Sequence, residues 1–458
     1  MIAAAFLLIL LGVMAGVSLF GGGGTVPLAE TLMLVGILVV FFGSGVYIGA
    51  ALGALGLLVG FAFSDRPFHD FIGQMVWGPS SSFVLIAVPL FLLMGEIMLR
   101  AGLSERLYRA MNVWLERLPG GLLHTNIMSS ALFSAISGSS VATAATMGSV
   151  ALPFFKGTNY DPRFVLGSLA AGGALGNLIP PGITFIIYGL ITETSVGALY
   201  LAALVPSALV VALFTAIIVA HGLRHRRETL PGPPTPLRAK LAALLDLGPT
   251  LVLIGLVLGT IYGGLATPTE AAALGVLGAL GFAAWEGRLT AAMIHQSAEA
   301  TARVTAMIGL ILFGAYLLNF MLTSIRVPQM MAEFVSALPL PPWAVMLLII
   351  GFYIALGTFM EGFSMIITTI PVIFPVVKAL GYDPVWFGVI VTMLVELAMI
   401  SPPDGTVLYV LQGMRKDGGA ITDVFGGVMP FFLVYVLAVG ILLAAPGLAL
   451  WLPGLAGR

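Results

Sequence analysis

Six acidic residues lie within apolar stretches of the sequence or at their ends: Glu96, Glu193, Glu270, Glu361, Glu396 and Asp404. A charged side chain in hydrocarbon is costly, so each is a candidate functional group. Three of them fit structural roles better. Glu96 precedes Arg100 by four residues and can pair with it on one helix face; Glu193 ends an apolar stretch, and Glu270 begins one, where a helix dipole favours an anion.

The remaining acidic residues, Glu361, Glu396 and Asp404, lie close to Gly- and Pro-rich interruptions. Three interpretations stay open for them. Oxygen groups could surround a sodium ion, because hard cations prefer oxygen ligands; one buried carboxylate could bind and release a proton; or the carboxylates could simply accept hydrogen bonds from backbone amides.

The first half of the chain has no carboxylate at the equivalent positions but offers hydroxyl and amide groups: Ser137, Ser139, Ser140, Thr143 and Asn177. Hydroxyl and carbonyl oxygens alone can hold sodium. A close-packed helix interface would also favour small residues of this kind.

The composition requires a membrane protein. Of 458 residues, 59% are hydrophobic and 9% charged, whereas soluble domains are about 25% charged. The net charge of −1 lacks the basic surface that nucleic acid requires. Without cysteine, and with five scattered histidines, the chain shows no metal-site or nucleophile pattern, so we expect no enzymatic activity.

A transmembrane helix needs roughly 20 apolar residues. Cutting the apolar stretches at charged or Gly/Pro-rich breaks gives about eleven candidate spans, which predicts an all-α polytopic fold. The first, within residues 1–24, could be a signal peptide, but it lacks a basic start and is interpreted as a retained extra helix. The others are 25–42, 46–63, 83–103, 162–192, 196–220, 249–261, 268–284, 304–322, 384–411 and 424–448.

Two further segments, 122–155 and 342–377, are too short for two spans and too long for one. Each has a polar or glycine-containing centre. We therefore predict two re-entrant helical hairpins, which lipid tolerates only where the tip is buried in protein or lines a cavity.

The two halves of the sequence match when shifted by 222 residues: Pro153 aligns with Pro375, Lys156 with Lys378, and Tyr160-Asp161-Pro162 with Tyr382-Asp383-Pro384. Each half holds an odd number of crossings, which predicts two inverted repeats, 25–222 and 246–448. Such repeats are typical of secondary transporters. Residues 223–245 are predicted as a cytoplasmic linker and 449–458 as a tail.

Each repeat carries a double proline, Pro180-Pro181 and Pro402-Pro403, inside the segments 162–192 and 384–411. A proline lacks the amide donor that a helix requires. These segments are predicted to be broken helices with unpaired backbone groups opposite the hairpin tips; simple kinks in packed helices are the alternative.

The basic residues orient the chain. If the N-terminus is cytoplasmic, 15 of the 19 Lys and Arg residues lie in cytoplasmic segments and 4 in periplasmic ones, as the positive-inside rule expects. The C-terminus is then periplasmic.

Five motifs together resemble the large membrane subunit of tripartite ATP-independent periplasmic (TRAP) transporters. They are Ser137-Gly-Ser-Ser-Val-Ala-Thr143, Gly176-Asn-Leu-Ile-Pro-Pro-Gly182, Ala266-Thr-Pro-Thr-Glu-Ala-Ala-Ala-Leu-Gly275, Gly357-Thr-Phe-Met-Glu361 and Ser401-Pro-Pro-Asp-Gly405. The resemblance covers about residues 30 to 448.

This resemblance implies a sodium-coupled importer of an organic acid in the bacterial inner membrane, working by an elevator mechanism. A periplasmic solute-binding protein would deliver the solute, and a small membrane subunit would be a separate chain. The implied sodium ligands are Ser137, Ser139, Gly176, Ile179, Pro181, Gly357, Thr358, Ala398, Ser401 and Asp404. The implied substrate site is Ser140, Thr143, Asn177 and Glu361.

Two departures from the family pattern concern the second half. The family usually has Thr in place of Ser401 and a small apolar residue in place of Asp404, so the second sodium site is less well supported. A stand-alone sodium- or proton-coupled carrier that needs no binding protein is the alternative function; only the identity of the motifs argues against it.

Overall fold

A computed structural model describes residues 47–63, 68–225, 235–324, 339–358, 360–416 and 418–457, with single positions between 325 and 338. Within these ranges every regular element is helical. The predicted helix at 1–24 and the span at 25–42 lie outside the described residues.

The described residues of the first half form nine α-helices: α1 Ile48–Phe63, α2 Ile72–Ser80, α3 Ala87–Arg100, α4 Leu103–Leu115, α5 Leu122–Ser137, α6 Ser140–Ala151, α7 Pro162–Gly173, α8 Ile183–Thr192 and α9 Val196–Arg224. Nine more are found in the part of the second half that the structure describes: α10 Leu237–Tyr262, α11 Pro268–Trp285, α12 Ala291–Ser324, α13 Pro342–Leu356, α14 Gly362–Ala379, α15 Pro384–Met399, α16 Thr406–Met414, α17 Ile421–Ala444 and α18 Gly447–Leu455.

Local capping explains several helix starts. Asp161 and Asp383 cap α7 and α15, each before a proline at the first helical position, where the missing amide costs nothing. Thr267 and Glu270 form a capping box at the start of α11. Glu96 lies 3.3 Å from Arg100. The structural interpretations of Glu96 and Glu270 are therefore confirmed.

The hairpins and broken helices pack into one unit. The α5–α6 pair contacts α7, α6 contacts α16, and α14 contacts both α8 and α15. Helix α17 crosses α7 so closely that a Cβ atom at Gly167 would lie 2.0 Å from the carbonyl oxygen of Gly427. Helix α12 runs along α1 and α3, and α11 packs against α3.

Six helical segments are long and apolar enough to cross a membrane: 83–100, 196–224, 237–262, 291–324, 362–379 and 421–444. Five shorter apolar helices lie at 48–61, 140–155, 183–192, 342–356 and 384–399. The part of the chain that the structure describes therefore belongs to a multi-pass membrane protein.

Several predicted boundaries differ from the observed ones. Helix α10 begins at Leu237, inside the predicted linker 223–245, and α12 begins at Ala291, ahead of the predicted span. Residues 449–458 were predicted as a tail, yet α18 occupies Gly447–Leu455 and packs against α9. Hydropathy locates only the membrane-embedded part of a helix, so helical extensions outside it escape such a prediction.

Candidate functional site

The tip of the first hairpin consists of two residues between α5 and α6. Gly138 adopts a left-handed conformation, φ 58°, and ends α5. Ser139 caps α6, its hydroxyl accepting a hydrogen bond from the amide of Ala142 at 3.4 Å. The Ser137 and Thr143 hydroxyls lie 2.7 Å apart and bridge the two arms. The tip is thus a closed turn lined with oxygen atoms.

This tip contacts the first helix break, residues 174–182. A Cβ atom at Gly176 would lie 2.3 Å from the Cα atom of Ser140, and one at Gly138 would lie 2.6 Å from the carbonyl oxygen of Pro181. The amide of Ile183 donates to the Gly138 carbonyl at 3.4 Å. The predicted facing of hairpin tip and break is therefore present, and glycine permits the close approach.

A buried polar cluster joins the two halves of the chain. The Ser140 hydroxyl lies 2.7 Å from both carboxylate oxygens of Glu396. The backbone amide of Asn177 donates to Glu396 at 3.3 Å, and its side-chain amide donates to the Ser140 oxygen at 2.8 Å. We call these three residues the Glu396 cluster. Glu396, in α15, is fully buried and lies at the first turn of α6.

The Glu396 cluster contains an unsatisfied group. Among the described residues, the Asn177 Oδ1 atom is buried without a hydrogen-bond partner. No ion pair to Glu396 is found there either. A buried polar atom without a partner costs free energy, so the Asn177 Oδ1 atom marks a place where a further ligand could bind.

Glu361, predicted as a substrate residue, caps α14. Its carboxylate accepts from the amides of Phe363 and Ser364 at 3.1 and 3.2 Å. It occupies the position equivalent to Ser139, and it satisfies the helix N-terminus with a charged group where the first hairpin uses a hydroxyl. The two hairpins therefore differ in charge at their tips.

The predicted sodium ligands of the second half come together only in part. A Cβ atom at Gly357 would lie 2.4 Å from that of Ala398, so the second hairpin also contacts its helix break. Ser401 is buried, whereas the Thr358 hydroxyl donates to the carbonyl of Ala355 within its own hairpin at 2.7 Å.

The structure does not bring Asp404 into this group. Its side chain is exposed, and no hydrogen bond or ion pair to it is found within the described ranges. The clustering of Glu361, Glu396 and Asp404 expected from sequence is thus wrong for Asp404. Glu396 contacts residues of the first half instead, because α15 packs beside the first break.

The chain matches the family model "Tripartite ATP-independent periplasmic transporter, DctM component" over residues 35–448. The chain belongs to this family. It is 30% identical to the sialic acid TRAP transporter large permease protein SiaM of Vibrio cholerae, with 89% of this chain and 98% of that protein covered.

The TRAP resemblance of the motifs is therefore confirmed. The chain is also 31% identical to the C4-dicarboxylate TRAP transporter large permease protein DctM of Rhodobacter capsulatus, covering 93% of this chain and all of that protein. The Alcanivorax borkumensis YdaH transporter has a related fold: the TM-score is 0.61 at 17% identity, over 90% of this chain and 98% of that one. The protein is the large permease component of a tripartite transporter, and family membership implies a transport function, not an enzymatic one.

Proposed function

We propose that this TRAP permease imports a small organic acid by sodium coupling, with the hairpins and broken helices moving as an elevator against the remaining helices. The two named relatives carry sialic acid and C4-dicarboxylates, which are both carboxylates. The observation that carries the proposal is the contact between the first hairpin tip and the first helix break, which assembles oxygen donors around Gly176.

The residues at this contact suit a sodium ion. Ser137 and Ser139 supply hydroxyls, and Gly176, Ile179 and Pro181 supply backbone carbonyls in a segment where prolines remove amide donors. The partnerless Asn177 Oδ1 atom adjoins them. Sodium bound here would stabilise the closed arrangement of tip and break.

The second sodium site would use Gly357, Thr358, Ala398 and Ser401. Asp404 can contribute only if the segment 400–405 rearranges, since its side chain is exposed in this conformation. The exposure of Asp404 supports a weaker second site than the first in this conformation.

The substrate would bind between the hairpin tips, near Ser140, Thr143, Asn177 and Glu361. Both helix N-termini there already face a carboxylate, Glu396 at α6 and Glu361 at α14. A substrate carboxylate entering this region would compete with these side chains for the same donor groups, and a bound cation would attract it. A bound sodium ion would therefore favour the binding of an anionic substrate at this site.

The partners follow from the family. A periplasmic solute-binding protein would deliver the solute, a small membrane subunit would be a separate chain, and the complex would lie in the bacterial inner membrane. Uptake into proteoliposomes is measured with and without a cognate binding protein. We expect uptake only when the binding protein is present, whereas a stand-alone carrier would transport without it.

Sodium binding is tested by the thermal unfolding midpoint in sodium chloride against choline chloride at equal ionic strength. A ligand at 100 times its Kd stabilises the folded state by about 2.7 kcal/mol. We expect a sodium-specific rise that shrinks in Ser139→Ala and in Ser401→Ala. Because Ser139 also caps α6, the comparison must use the sodium-induced rise and not the midpoint itself.

Glu270→Gln is the matched control, because it changes a capping carboxylate remote from the hairpin tips and should leave the sodium-induced rise intact. An unchanged rise in both serine variants would contradict the site assignment. A midpoint that responds to pH but not to sodium, and loses this response in Glu396→Gln, would favour proton coupling.

A further inference from the structure

A cavity of about 250 Å³ lies between the ends of α8, α12 and α14. Its wall includes Ile191, Asn319, Thr323, Pro371, Phe374 and Pro375. Small-molecule sites typically measure about 300–1,000 Å³ and combine apolar walls with a few polar groups. The volume and lining thus suit a short organic solute.

The cavity continues toward the second hairpin tip. A second, narrower space of about 10 Å³ shares Asn319 and Pro371 with the first and extends to Thr368. The Thr368 hydroxyl donates to the carbonyl of Ser364 at 2.7 Å, and Ser364 donates its amide to Glu361. The two spaces therefore lie one after the other along α12 and α14, in the direction of the predicted substrate site.

One face of α14 extends from the second hairpin tip past both spaces. Residues spaced three and four apart lie on the same helix face, and this face carries Glu361, Ser364, Thr368, Pro371, Pro375 and Lys378. Three of them are polar groups near the tip, two are prolines at the cavity, and a lysine ends the row. This face of α14 is therefore polar at both ends and apolar in the middle.

Lys378 supplies positive charge beside one residue of the cavity wall. Its ammonium lies 5.9 Å from the centroid of the Phe374 ring, which lines the cavity. The side chain is exposed, and no carboxylate within the described part of the chain pairs with it. An uncompensated ammonium beside an apolar wall attracts a small anion.

We propose that this cavity is a reception site for a small organic anion, at which the solute binds before it reaches the hairpin tips. Lys378 would attract the carboxylate or sulfonate, Asn319 and Thr323 would donate hydrogen bonds, and Phe374 would contact the carbon chain. The predicted orientation places this cavity on the periplasmic side. The inference rests on the proposed transport of organic acids, but not on sodium coupling.

The absence of cysteine from the sequence gives a direct test. Thr323→Cys introduces a single thiol at an exposed position of the cavity wall. The full-length variant in lipid nanodiscs, where both faces are accessible, is modified with a maleimide in the presence of succinate, pyruvate, gluconate or isethionate. Butane-1,4-diol serves as the neutral control.

We expect at least one anion, and not the diol, to slow modification of the cysteine. In the double variant Thr323→Cys/Lys378→Gln, the apparent affinity of the protecting anion should be about three- to tenfold lower, because one charged partner is removed. Lys156→Gln is the matched control, because Lys156 occupies the equivalent position of the other repeat and should leave protection unchanged.

Lack of protection by all four anions, or equal protection in the Lys378→Gln background, would overturn the reception site. Modification is measured without an ion gradient, so its outcome is independent of sodium coupling. If sodium drives uptake but no anion protects the cysteine, the reception site is wrong and the proposed function stands. If an anion protects the cysteine but sodium does not drive uptake, the reception site stands and sodium coupling is wrong.

Discussion

The polar groups of the site depend on one carboxylate from the opposite half of the chain. Glu396 accepts hydrogen bonds from Ser140 and from the backbone amide of Asn177. Position 174, its counterpart in the first repeat, is a buried alanine, so the cluster has no symmetric copy. Glu396 thus adds to Glu361 as a second acidic residue by which the two similar halves differ chemically.

Removing this carboxylate should leave buried donors unsatisfied. We expect Glu396→Ala to destabilise the protein by about 1–3 kcal/mol, measured by denaturant-induced unfolding in mixed micelles. Glu396→Gln retains an oxygen acceptor and should cost less. If the residues act as one network, the double variant Ser140→Ala/Glu396→Ala will be less destabilised than the sum of the single variants; strict additivity would contradict the network.

At the scale of helices, each hairpin is held against a broken helix by contacts that leave no room for a side chain. Gly176 touches the backbone of Ser140, and Gly357 touches Ala398. Close-packed elements of this kind transmit displacement, because packed interfaces move between discrete arrangements and do not deform continuously. A ligand bound between tip and break would therefore move both together.

Gly176→Ala tests this contact. The added methyl would lie 2.3 Å from the Ser140 Cα atom, and such overpacking costs about 1–3 kcal/mol. We expect a lower thermal midpoint together with loss of the sodium-induced rise. Gly351→Ala, on α13, is the control: no atom lies within 4 Å of its added Cβ, and alanine favours a helix by up to about 1 kcal/mol. If both variants had the same thermal midpoint and the same sodium-induced rise, a tight contact between hairpin tip and helix break would be contradicted.

At the scale of the whole molecule, the corresponding helices begin at matched positions. Helices α6 and α14 start at Ser140 and Gly362, and α7 and α15 at Pro162 and Pro384. These pairs are 222 residues apart, as the aligned sequence motifs are. The peptide bonds Pro180-Pro181 and Pro402-Pro403 are both cis. The opposite orientation of the two halves in the membrane remains a prediction.

Single cysteines at equivalent lysines test that orientation. Lys156 and Lys378 are both exposed, and the sequence contains no competing thiol. In intact cells, we expect Lys378→Cys to react with an impermeant maleimide and Lys156→Cys to react only after the membrane is permeabilised. Reaction of both from the same side would contradict inverted repeats.

The sequence by itself determined the membrane class, the helix interruptions, the position of Glu270 at a helix start and the family, because these depend on composition and on residues close together in the chain. Only the tertiary structure decided that Glu396 contacts Ser140, 256 residues away, that Asp404 is exposed, and that α8, α12 and α14 enclose a cavity. These depend on how distant helices pack, and hydropathy and local spacing carry no information about which faces meet.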